Sequence, residues 1–519
     1  MNTARDSIGV LSRVRPLAAA LALACVPVAA PAVTHHRPGE LPPDGTLTRE
    51  DGTPLRVALR AWHLDALANA VPPLPTATVR PVTNCDDDGP GSLRAVLAAV
   101  ASGDTIELGA LTCSRISLVT GALAAHVDTL TIEGPASGDF AIDGNDLDRV
   151  LLHYGSGGLT LSHLTLTHGR RVATGPDVGI AGCLASAGYV TLYRSTVTGC
   201  YAAGEGAYGG GIYAYSLILW DSTLSASTAF GTHPTNGTAA FGGGAFVYQV
   251  DLVESTVSGN TARHRVNPGR SSYDIGGGIS TVRGGLVVDS TIDSNYSYGR
   301  GGGLATFTDL LVSNSTISGN VARTFGGGGL FVRFPARLDA RNSTIAANSA
   351  RTGGGVLTNS SAATLVSTIV AGNEADTRNI ADFAALRALT VSGSNDLVDE
   401  TSSTIVLPGD ALRGDPGLLP LAYNGGPTRT HALRGSSAAI DAGSNAGQLT
   451  GDQRGYPRVV GASTDIGAFE SNAEATPAGN APRSVPALLP WASLLLAASL
   501  FAFGLLNRRR MLRVRDARN

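Results

Sequence analysis

No lysine occurs in this 519-residue chain, and every cationic side chain outside histidine is arginine. That removes the usual lysine base and any lysine-centred catalytic set, since arginine stays protonated near neutrality in ordinary surroundings. Charge is also scarce: 15% of residues are charged and the formal net charge is -3, so no basic field exists to hold nucleic acid. Helical patterning is missing from the middle of the chain. Apolar residues there do not recur at i, i+3, i+4 and i+7, and Gly, Ser, Thr and Val stand where good helix formers would be needed. Long apolar runs are confined to the two ends.

What is present is a period. Seven Ser-Thr pairs, each followed by an aliphatic residue, begin at Ser195, Ser222, Ser255, Ser290, Ser315, Ser343 and Ser367, with spacings of 27, 33, 35, 25, 28 and 24 residues. Units of this size cannot bury an apolar face alone and become stable by stacking, so the period predicts a solenoid. Leu217 and Leu219 stand two apart at the end of an apolar run, Asp221-Ser222-Thr223 interrupts, and the apolar alternation restarts out of phase at Leu224. A phase change between short alternating runs marks a bend between two strands. The unit is therefore strand, corner, strand, turn.

Two further columns run through the repeats. Glycine runs open at Gly209, Gly242, Gly276, Gly301, Gly327 and Gly353, where a tight coil turns back onto its stack. Asn260, Asn295, Asn320 and Asn348 each follow their serine by five residues. Amides stacked at the ~4.8 Å strand spacing can bond up and down a column, so these four form an expected structural ladder.

Together these columns resemble the right-handed parallel β-helix proteins, the superfamily of pectate lyases and many bacterial surface proteins. The resemblance implies an all-β fold, a single right-handed parallel β-helix over residues 82–414. The Gly-Gly-x-Gly-x-Asp nonapeptide of calcium-binding β-rolls is absent. Ser92 to Val100 follows Gly89-Pro90-Gly91 and carries helix formers, which fits a short helix capping the first coil. The opening Cys85-Asp86-Asp87-Asp88-Gly89-Pro90-Gly91-Ser92-Leu93-Arg94 resembles secreted β-helix proteins that finish in a choice-of-anchor Q module. Asp415-Pro416, Asn424-Gly425-Gly426-Pro427-Thr428, Thr430-His431-Ala432-Leu433, Ala439-Ile440-Asp441-Ala442-Gly443, Asp452-Gln453-Arg454-Gly455 and Asp465-Ile466-Gly467-Ala468-Phe469-Glu470 resemble that module over residues 415–470. It implies a surface protein.

Both ends carry addressing signals. Arg5, Arg13 and Arg15 precede an apolar stretch and then Ala30-Pro31-Ala32, the order of a secretory signal peptide over residues 1–32. Cys25 invites a lipoprotein reading, but Ala22 stands where a lipobox places leucine. Residues 33–81 read as a flexible lead and 471–484 as a linker. Residues 485–519 hold Pro486, Pro490, Trp491, an uncharged apolar run and then Arg508-Arg509-Arg510. Such a run reaches across a bilayer with its basic end held in the cytoplasm. It resembles the IPTL-type sorting tails of Gram-negative bacteria, with a plain membrane anchor as the alternative. A secreted, envelope- or surface-attached monomer is expected, touching the membrane through this tail.

Beyond the signal peptide four cysteines remain, and an even number in a secreted chain suggests two disulfides. Cys183 occupies a third-glycine position and Cys200 the asparagine column, which pairs Cys183 with Cys200 and leaves Cys85 with Cys113. No histidine stands at zinc-ligand spacing from them.

For function, the most suggestive polar column precedes the serines: Asp221, Glu254 and Asp289, continued by Asn314 and Asn342. Unit charges ~4.8 Å apart repel by roughly 3.5 kcal/mol at an effective dielectric of about 20, enough to recruit a cation, of which calcium is the natural one. Asp and Asn are also ordinary corner residues, so a turn role competes with a cation or ligand role. Asp86-Asp87-Asp88 has the same two readings. His431, Asp441, Asp452 and Asp465 fall in the terminal motifs as a folding network or, alternatively, a metal site. No His or Lys recurs beside the Ser-Thr pairs, so they are hydroxyl columns and not nucleophiles. No cofactor and no catalytic residue is assigned. The expected function is a non-catalytic, adhesin-like rod contacting polysaccharide or another cell surface. Its insertions at 204–208, 230–240 and 263–274 suit carbohydrate or protein contact. The alternative is a polysaccharide lyase or glycoside hydrolase on the same scaffold, since a fold does not choose between them.

Overall fold

A computed structural model describes residues 78–471, apart from 138, 175–176, 233–239, 266–273, 361 and 377–380. The signal peptide, most of the lead, the linker and the C-terminal tail expected from the sequence lie outside the described residues. Among the described residues no helix is long and apolar enough to cross a membrane.

The chain winds into a parallel β-solenoid of three main faces. The first face is a 21-stranded sheet, the second an 11-stranded sheet with one strand per coil, and the third an 8-stranded sheet. Strands pair in parallel with the equivalent strand of the next coil on each face. Parallel strands joined by crossovers wind right-handed with very few exceptions, the hand the resemblance implies. The first rung, Val79–Pro81, pairs with Thr105–Glu107 and so begins just upstream of the boundary expected at residue 82.

The core is built by register. On the second face Ile116, Ile142, Leu166, Val197, Leu224, Val257, Ile292, Ile317, Ile345, Val370 and Val398 stand one above the next. None is more than 1% exposed. One strand residue per coil thus supplies an unbroken apolar column, which is why no single repeat is stable alone.

Two polar ladders flank that column. Ser195 N donates to Ser222 Oγ at 3.1 Å, and the relation repeats through Ser255, Ser290, Ser315 and Ser343. The seventh Ser-Thr pair breaks the pattern. Ile369, not Thr368, pairs with Thr344, so Ser367 falls at the corner and Thr368 takes the serine's rung, donating its N–H to Asp396 Oδ1 at 2.9 Å. The asparagines form the second ladder. Asn295 donates its backbone N–H and its side-chain Nδ2 to Asn320 Oδ1, at 3.0 and 2.9 Å, and Nδ2 also reaches Val257 O at 2.9 Å. Asn260, Asn320 and Asn348 repeat this, and Asn373, one rung further, hands on to Asp382 Oδ1. Each ladder ends in an aspartate, an acceptor that needs no further donor below it.

The glycine runs make room for the amides. In Gly301-Gly302-Gly303 the first residue adopts φ 62°, and a Cβ on the second would lie 2.4 Å from Gly328 O of the next coil. A Cβ on the third would lie 3.1 Å from the Asn320 amide of its own coil. That last relation explains the inner disulfide. Cys183 replaces the third glycine and Cys200 the asparagine 17 residues later, the separation that joins Gly303 to Asn320, so a sulfur bridge of Cα–Cα 5.5 Å fills the same contact. The pairing inferred from the repeat is correct, although the contact lies within one coil. Cys85–Cys113 is the second disulfide.

Helix α1 (Leu93–Ala99) caps the first coils, with Ser92 Oγ accepting Ala95 N at 3.2 Å and Leu93 and Leu97 buried. Asp87, central in the acidic triplet, accepts Val119 N and Thr120 N and pairs with Arg94 at 2.6 Å. Burial pushes its carboxyl up, but these donors outweigh it and hold the pKa at about 2.

Asn320→Ala removes one acceptor and two donors from a buried ladder and is expected to cost roughly 3–5 kcal/mol in urea unfolding. A loss below about 1 kcal/mol would refute the cooperative ladder. Asp396 supplies a pH test. Burial raises its pKa to about 8 against the Thr368 bond. Its folded value exceeds the unfolded one, so the folded state holds the proton longer and stability falls as pH rises from about 4 to about 8. Asp396→Asn keeps the acceptor oxygen and should gain roughly 2–4 kcal/mol at pH 8 and little at pH 4, read as melting temperature across that range.

Candidate functional site

The column of Asp221, Glu254 and Asp289 is a row of left-handed corners. Their φ angles are 48°, 50° and 51°, and Asn314, Asn342 and Ser367 continue the row at 51°, 45° and 49°. Asp and Asn tolerate this conformation best among residues with a side chain, which accounts for their frequency here. The three carboxylates enter separate environments. Asp221 pairs with Arg194 at 3.0 Å, beside a shallow hollow of about 360 Å³ that His163 also lines. Glu254 is exposed, and Asp289 is buried with Oδ1 accepting Asn314 Nδ2 at 2.6 Å. Among the described residues no three His, Cys, Asp or Glu side chains come together as a metal group.

Asp289 is buried because residues 415–471 fold back along the second face. Thr291 Oγ1 donates to Arg429 O at 2.7 Å, Thr316 Oγ1 to Gln453 Oε1 at 2.6 Å, and Ser318 Oγ meets His431 Nε2 at 2.8 Å. Asn314 and Asn342 Nδ2 reach Gly451 O and Ser444 O. Arg429 pairs with Asp293, and Ile466, Leu433 and Ala439 pack on Ile369 and Leu397. The outward threonines record the cover: Thr291, Thr316 and Thr344 are buried, whereas Thr196, Thr223 and Thr256 in earlier coils are half-buried. The terminal motifs serve this clasp. Asp452 pairs with Arg454 at 2.6 Å, Asp441 Oδ1 accepts Ala462 N at 2.9 Å, and Asp465 Oδ1 accepts Asp441 N at 2.9 Å. Burial lowers the pKa of His431, matching a neutral ring between Ser318 and Leu419 O.

The third face carries a different surface. A groove of about 670 Å³ crosses it, lined by Phe230, Arg263, His264, Arg265, Tyr296 and Tyr298 above a floor that includes Thr228 and Thr261. Strand alternation places Phe230, Arg263, Tyr296 and Tyr298 outward, while His264 shares the parity of Ala262 and is half-buried. Ala229, Ala262, Ser297, Ala322 and Ala350 point inward and are buried, so the residues after them face solvent. Arg263 stacks over the Phe230 ring at 5.5 Å, and the His264 and Tyr298 rings meet edge to face at 5.2 Å. His264 Nδ1 lies 2.6 Å from Oδ2 of fully buried Asp274, whose Oδ1 accepts Ala240 N at 2.8 Å. Asp274 holds the histidine proton and raises its pKa, against the opposing pull of burial. Rings beside guanidinium groups can stack on sugar rings and bind acid groups bidentately.

Of the insertions at 230–240 and 263–274, residues 233–239 and 266–273 lie outside the described residues, and Phe230, Arg263, His264 and Arg265 line this groove from the strand ends that flank them. Tyr296 and Tyr298 went unnoticed, and so did Arg323 and Arg351 further along the face. The arginines do carry a sequence signal: Asn260-Thr-Ala-Arg263, Asn320-Val-Ala-Arg323 and Asn348-Ser-Ala-Arg351 each set an arginine three residues after a ladder asparagine.

No protein-family model matches the chain, and no curated protein sequence matches it. Among solved structures the pectate lyase Pel9A is similar at TM-score 0.44 and 14% identity, over 79% of this chain and 100% of that one. The fold described above rests on its own strand pairing and not on this likeness.

Gln453 is the bond centre of the clasp, its amide reaching Thr291, Thr316 and Thr428. Gln453→Ala is expected to cost roughly 2–4 kcal/mol and to open residues 415–471 to limited proteolysis before the solenoid is cut. Unchanged proteolysis would show that the clasp does not depend on this residue.

Proposed function

We propose that the chain is an exported, surface-anchored, non-catalytic β-helix protein that binds polysaccharide with its third face, in the manner of an adhesin. The groove of Phe230, Arg263, Arg265, Tyr296 and Tyr298 is the observation that carries the reading. It joins ring surfaces and hydrogen-bonding cations on strands that pair in parallel with the coils on either side, a few polar groups set among apolar surface as in sites that bind small ligands. Export is supported by the two disulfides, which persist in oxidising compartments. Attachment is supported by the apolar C-terminal run and its arginine cluster.

The purified protein, incubated with a panel of acidic and neutral polysaccharides with and without calcium, is expected to retain at least one polymer and to release no new reducing or unsaturated ends. New ends that disappear in the Asp221→Ala, Glu254→Ala and Asp289→Ala variants would replace this reading with a lyase or hydrolase at the corner column. Retention of no polymer would remove it.

A further inference from the structure

We infer that the third-face ligand is an anionic polysaccharide lying along the solenoid axis, its acid groups held by an arginine column. This rests on the polysaccharide-binding reading and adds the charge and direction of the polymer.

The column follows from register. Phe230 pairs with Arg263, and the chain of partners Ala262, Ser297, Ala322 and Ala350 places the next residues, Arg263, Tyr298, Arg323 and Arg351, on neighbouring coils of one outward edge, with the register shifting between Ala322 and Gly326 just past the last of these pairs. Arg263, Arg323 and Arg351 are all exposed. Coils rise by ~4.8 Å, so Arg263 and Arg323, two coils apart, stand about 10 Å from one another, the length of a disaccharide. A polymer running along the axis meets a new rung at every coil. One running along a strand meets a single arginine of this row. The axial direction therefore uses all three.

Charge along the row favours the same occupant. The whole chain is nearly neutral, yet the outward row from Arg263 to Arg351 carries arginines, with Arg265 beside them. Carboxylates enter only in the next coil, at Glu374, which pairs with Ser349, and at Asp376. Asp376 lies 4.0 Å from Arg323 with both side chains more than half exposed, an ion pair weak enough to yield to a polyanion. Guanidinium groups match carboxylate and sulfate alike. The ring of Phe230 at the head of the row and that of Tyr298 between Arg263 and Arg323 supply the surface that sugars stack on and that a simple polyanion does not need.

The test measures binding of the full chain to polygalacturonate, to a sulfated polysaccharide, to neutral dextran and to duplex DNA. An acidic polysaccharide should bind at least about tenfold tighter than dextran and lose affinity as salt rises. Arg323→Ala and Arg351→Ala should each weaken it about 3- to 10-fold without moving the unfolding midpoint. Whichever of carboxylate and sulfate binds better identifies the acid group. Tyr298→Ala should weaken sugar binding and leave DNA binding unchanged. Equal binding of dextran and acidic polymers, with the arginine variants unaffected, overturns the anionic inference while leaving polysaccharide binding intact. DNA bound as tightly as any sugar, with Tyr298→Ala silent, also overturns it. Retention of none of the polysaccharides strikes the underlying reading itself.

Discussion

Parallel backbone pairing at a fixed rise is the constraint from which the rest of this structure follows. Because each coil repeats the last directly above it, any side chain chosen at one position meets its equivalent ~4.8 Å away. The consequences are collective. Ile317 is held by Ile292 and Ile345, the Asn320 amide by Asn295 and Asn348, and Ser315 by Ser290, whose N–H its hydroxyl accepts, and by Ser343, whose hydroxyl accepts the backbone N–H of Ser315. An apolar column alone would leave the corner N–H groups unpaired, and the two ladders satisfy them. Where the ladders stop, aspartates take the final bonds, at the cost of two carboxyls whose burial raises their pKa.

The same regularity gives the outer faces different fates. On the second face the outward hydroxyls form an even polar surface, and in the later coils the chain uses it itself. Residues 428–468 lay carbonyls, an amide and a histidine across it, and seal the edge with the apolar contacts of Ile466 and Leu433. The clasp ties five successive corners to one segment far away in sequence. On the third face the outward row is irregular, mixing rings and guanidinium groups, and here the regular backbone acts as a ruler for side chains that differ from coil to coil. A surface of that kind suits a repeating polymer, whose own spacing can match several rungs at once.

Much of this was legible in the chain. The Ser-Thr and Gly-Gly-Gly columns, the asparagine ladder and the Cys183–Cys200 disulfide could be read because each occupies a place that recurs in the coil, and Cys85–Cys113 followed as the remaining pair. The corner acids were visible for the same reason, and their backbone angles show why Asp and Asn recur there. The slip at Ser367 was invisible, since Ser-Thr is present and only pairing reveals that it is displaced by one residue. Tyr296, Tyr298, Arg323 and Arg351 lay in a readable position, three or fewer residues past the asparagine, but their varied chemistry hid the column.

The amino-acid sequence by itself determined the period, the corners, the inner columns and the cross-links, because those are local choices repeated until stacking makes them cooperative. Only the tertiary structure decided that residues 415–471 lie along the second face and that Phe230, Arg263, Tyr298, Arg323 and Arg351 form one row. Contacts such as Thr316 with Gln453 join groups 137 residues apart, and no local pattern encodes which face a distant segment will cover. That choice is made by the match between a finished surface and the segment that folds onto it.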